Sequence, residues 1–214
     1  RHLSNKELFN AVLRLEQLLT TGGGWQDQIG GVLEGVKLIL TEPGMVPNPS
    51  MQYLRKDMIE PALNGGRTLL YYTGITRLAK NILQEVVGRY LNRDHLALKV
   101  LKQIRQAALD GAEIMGAMDY AQFGNLLAKS WQLNKSLDPN STNEQVDRLF
   151  ERIAPHIYGA KLLGAGGGGF VLMACKSEDD ARLVRKDLTD NPSDVNARFF
   201  DYGISSEGLV VTVC

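Results

Sequence analysis

No excess charge of either sign marks this sequence: lysine and arginine together number 24, and aspartate and glutamate also 24, over 214 residues. Without a net field to gather polyanions or an anionic membrane surface, neither nucleic acid nor a membrane is an expected partner. Long hydrophobic runs are absent too. No apolar stretch approaches the ~20 residues that span a bilayer, and no signal peptide opens the chain. Cysteine is scarce, with Cys175 in an apolar run and Cys214 at the end. Two thiols without metal-ligand spacing point to a reducing, cytoplasmic compartment rather than a disulfide framework. The three histidines, His2, His95 and His156, have no partner at ligand or triad spacing and read as structural or exposed. Internal repeats and low-complexity segments are missing as well. What remains is a globular protein with 44% hydrophobic residues, long enough for one or two domains.

Glycine, by contrast, is concentrated. Five of the six residues from Gly164 to Gly169 are glycine, with Ala165 among them, and they run into the apolar stretch Phe170–Cys175. Each glycine in regular structure costs roughly 0.5–1 kcal/mol relative to alanine, so such a cluster implies a use. Glycine reaches positive φ and admits close approach, which lets consecutive N–H groups converge on an anion such as phosphate. The competing reading is a tight turn between strands, which needs only one or two glycines. The run matches G-x-G-x-x-G at Gly164, Gly166 and Gly169, but a dinucleotide fingerprint follows a strand and opens a helix. Here the glycines lead into a strand, and the next helix signal waits until Ser177. A Walker A loop fails because no Gly-Lys-Ser/Thr follows.

Elsewhere the periodicity organises the chain. Ser4 and Glu7 form a capping box ahead of Leu8, Ala11, Val12, Leu15, Leu18 and Leu19 at helical spacing. Val36–Leu40 reads as a strand, Pro43, Pro47 and Pro49 as a loop, and Tyr53 with Leu54 as the start of another strand. Leu69–Tyr72 is a clearer strand. From Leu78 to Ile153 the period is helical. Asp119 is placed to cap a helix carrying Phe123, Leu126, Leu127 and Trp131, and Ser141 with Glu144 forms a second capping box. Trp131, on a helical stripe, reads as core, and Lys99, Lys102 and Arg105 as a solvated face. The tail reads strand (169–175), helix (177–188), strand (Ala197–Tyr202) and strand (Leu209–Val213). The expected class is α+β: an antiparallel sheet with helices packed on one face, closing in a hairpin.

Two residues outside the glycine cluster are chemical candidates. Asp27 follows Gly22, Gly23, Gly24 and Trp25 and falls in the first turn of a predicted short helix, where the dipole and unpaired N–H groups favour a carboxylate. There it could accept a proton from a substrate hydroxyl, or serve only as a helix-start residue. Arg77, after Thr73-Gly74 at a strand end, could bind a phosphate or a sugar oxygen, or be an ordinary surface arginine.

With both glycine segments in view, the chain resembles the GHMP family of small-molecule kinases, and within it the L-fucokinases. Lys161–Phe170 looks like the family's third motif, a C-terminal glycine loop beside substrate and phosphates. Gly24-Trp25-Gln26-Asp27-Gln28 looks like the segment that holds the catalytic aspartate. The fuller Gly-Gly-Gly-Trp-Gln-Asp-Gln, together with Tyr72–Asn81, is similar to fucokinases in particular. Heptose-phosphate 1-kinases share Gln-Asp-Gln and Tyr-Thr-Gly but lack the tryptophan.

The resemblance implies ATP-dependent phosphorylation of the anomeric hydroxyl of L-fucose, with Mg²⁺, giving fucose 1-phosphate on the way to GDP-fucose. Asp27 would be the base. Gly23, Gly24, Trp25, Arg77, Gly166, Gly167, Gly168 and Gly169 would border sugar and phosphates, with Trp25 either stacking on the sugar or packing in the core. It also implies a ferredoxin-like C-terminal domain over residues 51–214, preceded by the end of the N-terminal kinase domain over residues 1–50. The family's phosphate loop and metal ligand would lie in an upstream kinase domain, so these 214 residues alone are expected to be inactive. Two other readings stand beside this one: a sugar-binding module without turnover, and a helical interaction domain that docks a partner through residues 78–153.

Overall fold

A computed structural model describes residues 4–18, 26–42, 44, 48–75, 79–164 and 166–210, with the side chains of all of these except 16, 17, 27 and 79–83. They fall into two compact units, Arg1–Lys56 with Ile204–Cys214, and Asp57–Gly203.

The first unit opens with α1 (Asn5–Leu18), started by the predicted box: the Ser4 N–H donates to Glu7 Oε2 at 2.8 Å, and Glu7 N–H donates back to Ser4 Oγ at 3.3 Å. Its buried stripe is not the predicted one. Phe9 is buried, whereas Leu15 and Leu18 are 58% and 73% exposed. Helix α2 (Gln26–Val32) follows, then the antiparallel pair β1 (Val36–Thr41) and β2 (Pro49–Leu54). Proline at the first residue of an edge strand costs no ladder bond, which is why β2 starts inside the predicted loop.

The far end of α2 is closely tied. Lys37 Nζ donates to the carbonyls of Leu33, Glu34 and Gly35 at 2.8, 2.8 and 2.9 Å. A cation there complements the helix C-terminus, although burial holds the Lys37 ammonium below the usual lysine range. Residues 204–210 also belong here: Leu209 N–H donates to Val32 O at 2.9 Å, and Gly35 N–H to Ser205 O at 3.0 Å. Residues 209–210 therefore do not form the predicted closing strand, and 211–214 lie outside the described residues.

The second unit holds β3 (Thr68–Tyr72), α3 (Ala79–Leu91), α4 (His95–Ala117), α5 (Tyr120–Leu137), α6 (Glu144–Ile153), β4 (Ile157–Leu162), β5 (Phe170–Cys175), α7 (Glu178–Asp190) and β6 (Arg198–Phe200). The sheet order is β4-β5-β3-β6, antiparallel throughout. Side chains alternate across a strand, so Leu69 and Tyr71, Val171, Met173 and Cys175, and Ala160 and Leu162 share one face. Val146, Leu149 and Ile153 of α6 and Ala181, Val184 and Leu188 of α7 cover that face. This is the expected antiparallel α+β layer. Trp131 joins the same core, 2% exposed and stacked on Phe150 at 5.6 Å between ring centroids.

Helix starts follow short polar side chains: Asp94, Asp119, Asn143 and Ser177 each accept a backbone N–H in the first turn of α4, α5, α6 and α7. The predicted Ser141–Glu144 box is not formed. Asn143 caps α6 instead, and Ser141 lies in the turn before it. Strand β4 was not legible in the sequence, because the register shift between Ile157 and Gly159 interrupts its alternation and leaves only Ala160, Lys161 and Leu162 in regular order.

Gly159 is needed for packing. A Cβ there would stand 2.0 Å from Gly124 O, and one on Gly124 would stand 2.2 Å from Tyr158 Cβ, so α5 meets β4 backbone to backbone. Gly159→Ala should force the two apart at a cost of about 3 kcal/mol, the upper range for overpacking, and lower Tm by roughly 5–10 °C. Gly116→Ala in α4, where a new Cβ meets nothing within 4 Å, should leave Tm unchanged or higher. Equal melting curves for the two variants would contradict the close contact.

Candidate active site

The glycine loop joins β4 to β5 across a hairpin, with Leu163 N–H donating to Phe170 O at 2.8 Å. Seven residues make the connection, far more than the two that a tight hairpin needs. The extra length is held in place from both sides.

On one side stands the end of β3. Thr73, buried, donates to Gly169 O from its N–H at 2.9 Å and from Oγ1 at 3.0 Å. Its hydroxyl oxygen also accepts from Ile75 N–H at 3.3 Å, and Ile75 O receives the Gly169 N–H at 2.9 Å. On the other side stands the turn between α5 and α6. Ser141 O accepts the Gly167 N–H at 2.5 Å, and Asn143 Nδ2 donates to Gly167 O at 3.2 Å.

Gly164, Gly166, Gly167, Gly168 and Gly169 all have positive φ. At two positions the space matters as much as the angle. A Cβ on Gly166 would lie 2.6 Å from Ser141 O, and one on Gly168 would lie 2.5 Å from Ile75 O. From Gly166 to Gly169 the amides are used alternately. Gly167 and Gly169 donate to protein carbonyls, whereas among the described residues Gly164, Gly166 and Gly168 have no protein acceptor. Oriented amides left unpaired in a loop of positive-φ glycines are suited to an anion.

Lys161 lies on β4 just ahead of the loop. Its neighbours Ala160 and Leu162 face the core, so Lys161 faces the other side of the sheet, opposite Leu172. Burial lowers its pKa from the usual lysine range. Cys175, at the far end of β5, is a buried thiol pushed up to about 12 by burial and then by Asp180. A thiol held protonated is no nucleophile at neutral pH. Among the described residues no group of three or more His, Cys, Asp or Glu could hold a metal ion.

Of the residues singled out in the sequence, Gly166, Gly167, Gly168 and Gly169 stand together in this loop. Asp27 is the second residue of α2, in its first turn as expected, with its side chain outside the described residues. Gly23, Gly24, Trp25 and Arg77 also lie outside them. His95 is exposed, but His156 has a partner that spacing did not reveal, its Nδ1 standing 2.8 Å from Asp180 Oδ1. The loop's holders Thr73, Ile75, Ser141 and Asn143 were not anticipated in that role. Ser141 carried a local signal only as the expected cap, and Asn143, a good capping residue just before a helix, was passed over.

Comparison with known proteins agrees with this architecture. Residues 104–194 match the family model described as GHMP kinases C terminal. The chain is 41% identical to the L-fucokinase/L-fucose-1-P guanylyltransferase of Bacteroides fragilis over 96% of its own length and 22% of that protein. It is 37% identical to the bifunctional fucokinase/GDP-fucose pyrophosphorylase of Arabidopsis thaliana over 94% of the chain and 19% of that protein. Against the D-glycero-alpha-D-manno-heptose 7-phosphate kinase of Campylobacter jejuni subsp. jejuni it is 31% identical, over 76% of the chain and 47% of that protein. The chain thus spans about a fifth of the first two relatives. Among solved structures, Lactococcus lactis galactokinase complexed with galactose superposes with a TM-score of 0.68 at 17% identity, covering 97% of this chain and 61% of that one. With the family model on residues 104–194 and similarity along nearly all its length to two fucokinase-containing proteins, the chain is similar to GHMP kinases, and the matched residues correspond to that family's C-terminal domain.

Proposed function

We propose that this chain forms the C-terminal part of an ATP-dependent kinase that phosphorylates the anomeric hydroxyl of L-fucose. The observation that carries the reading is the 41% identity over 96% of the chain to an L-fucokinase/L-fucose-1-P guanylyltransferase. Phosphoryl transfer asks mainly for positioning and charge stabilisation. The free amides of Gly166 and Gly168 are suited to bind phosphate oxygens. Asp27 accepts the proton of the attacking hydroxyl. Arg77 neutralises phosphate charge, while Gly23, Gly24 and Trp25 line the sugar, with the indole against its apolar face. Mg²⁺ supplies further charge neutralisation when bound, and we assign it no ligand in this chain. Residues 1–50 then complete the N-terminal kinase domain and residues 51–214 form the C-terminal one. An upstream domain supplies the remaining phosphate contacts, so these 214 residues alone should not turn over substrate. No helix among the described residues is long and apolar enough to cross a membrane, and we place the enzyme in the cytoplasm.

The 31% identity to a heptose 7-phosphate kinase supports a second reading, a heptose-phosphate 1-kinase. A substrate with a phosphate at its far end calls for clustered basic side chains, and Arg77 is the only one among residues 22–31, 73–77 and 164–169. A 6-deoxy sugar instead offers a methyl group, whose burial contributes about 0.8 kcal/mol. Competing L-fucose against D-glycero-D-manno-heptose 7-phosphate on the full-length protein should give the higher kcat/KM for L-fucose. A preference for the heptose phosphate would overturn the assignment.

A further inference from the structure

The Asn143 carboxamide serves two elements at once. Its Oδ1 accepts the Val146 N–H at 3.0 Å, capping α6, and its Nδ2 donates to Gly167 O at 3.2 Å. These partners settle which end is which: an N–H needs the oxygen and a carbonyl needs the nitrogen.

The second bond has a consequence one atom further on. The Gly167 carbonyl and the Gly168 N–H belong to one planar trans peptide, so they point in opposite directions. Holding the carbonyl toward Asn143 therefore aims the Gly168 N–H away from it, and among the described residues that N–H meets no acceptor. The neighbouring peptides are fixed in the same way, by Gly167 N–H on Ser141 O and Gly169 N–H on Ile75 O. In the 167–168 peptide only the carbonyl is anchored. Between two glycines with φ of +78° and +154°, without side chains to resist rotation, that peptide would be free to turn over without its anchor.

We propose that Asn143 is a positioning residue of the phosphate-binding loop, which aims the Gly168 N–H at the bound anion. This rests on the reading of the loop as a phosphate site. It does not require L-fucose to be the substrate.

Asn143→Ser separates the two jobs. Serine still caps a helix but is neutral and too short to hold Gly167 O. Asn143→Asp also caps, and adds a negative charge. In the full-length protein, inorganic tripolyphosphate binding measured by calorimetry should weaken about 10-fold in Asn143→Ser, the size of one hydrogen bond to a charged group. Its Tm should stay within about 2 °C of wild type, since the cap is kept. With ATP and sugar, KM for ATP should rise while KM for sugar holds.

Unchanged tripolyphosphate affinity in Asn143→Ser would overturn the proposal, as would weakening in Asn143→Asp alone, which is a charge effect. A large fall in Tm in both variants, which keep the cap but lose the bond to Gly167 O, would make that bond a structural tie and overturn the positioning role. Wild-type protein that binds no tripolyphosphate would remove the phosphate site and the proposal with it. Wild-type protein that binds it but leaves L-fucose untouched would overturn only the substrate.

Discussion

Asp27→Asn is expected to cut kcat for sugar phosphorylation by the full-length protein about 10²–10⁴-fold, the range for loss of a general base. The amide keeps the carboxylate's size and much of its hydrogen bonding, so KM should change little. Stability should also hold. Asp27 is the second residue of α2, and the opposite end of that helix is tied down independently. There Lys37 donates to three carbonyls, and Leu209 N–H donates to Val32 O. Steady-state kinetics beside a melting curve checks both halves. A near-normal kcat would leave Asp27 as a helix-start residue without a catalytic part.

Gly168→Ala should be nearly as damaging, for a different reason. A φ of +154° lies outside the small left-handed region that other residues reach, and the new Cβ would stand 2.5 Å from Ile75 O and 2.9 Å from Ile75 Cγ2. The loop would have to abandon either the Gly169–Ile75 bond or the outward Gly168 N–H. Activity should fall at least about 100-fold, comparable to removing a single oxyanion donor. Gly164→Ala is the contrast. Its φ is +73° and a Cβ there meets nothing within 4 Å, so it bears only backbone strain of roughly 1–2 kcal/mol and should keep most activity. Equal activity in both variants would mean that the loop serves as a turn and nothing more.

Gly167, the middle of the cluster, has both its polar groups engaged, N–H on Ser141 O and carbonyl on Asn143 Nδ2. A glycine run read from sequence invites the idea that consecutive amides converge on an anion. In the folded loop, from Gly166 to Gly169, every second one is spent on the scaffold.

Local sequence by itself determined much of this protein. Ser4 with Glu7, Asp119 and Ser177 start helices through contacts three residues away, so neighbouring side chains suffice to predict them. The apolar runs Leu69–Tyr72 and Phe170–Cys175 form strands as expected, because each is a short contiguous stretch of apolar and aromatic residues bounded by polar residues or glycine. The glycine loop and the GHMP resemblance were legible for the same reason: each lies in a short contiguous stretch. What only the tertiary structure decided depends on residues far apart in the chain. Strand β4 exists because β5 pairs with it and α5 seats on Gly159, although its own pattern is broken. Residues 204–210 leave the sheet because Val32 and Gly35 of the first unit offer them backbone partners. The choice of Asn143 over Ser141 as the cap of α6, and the division of the glycine amides into held and free, follow from Gly167 meeting a turn 24 residues away. No period or local motif encodes such a meeting, because its partners become neighbours only once the chain has folded.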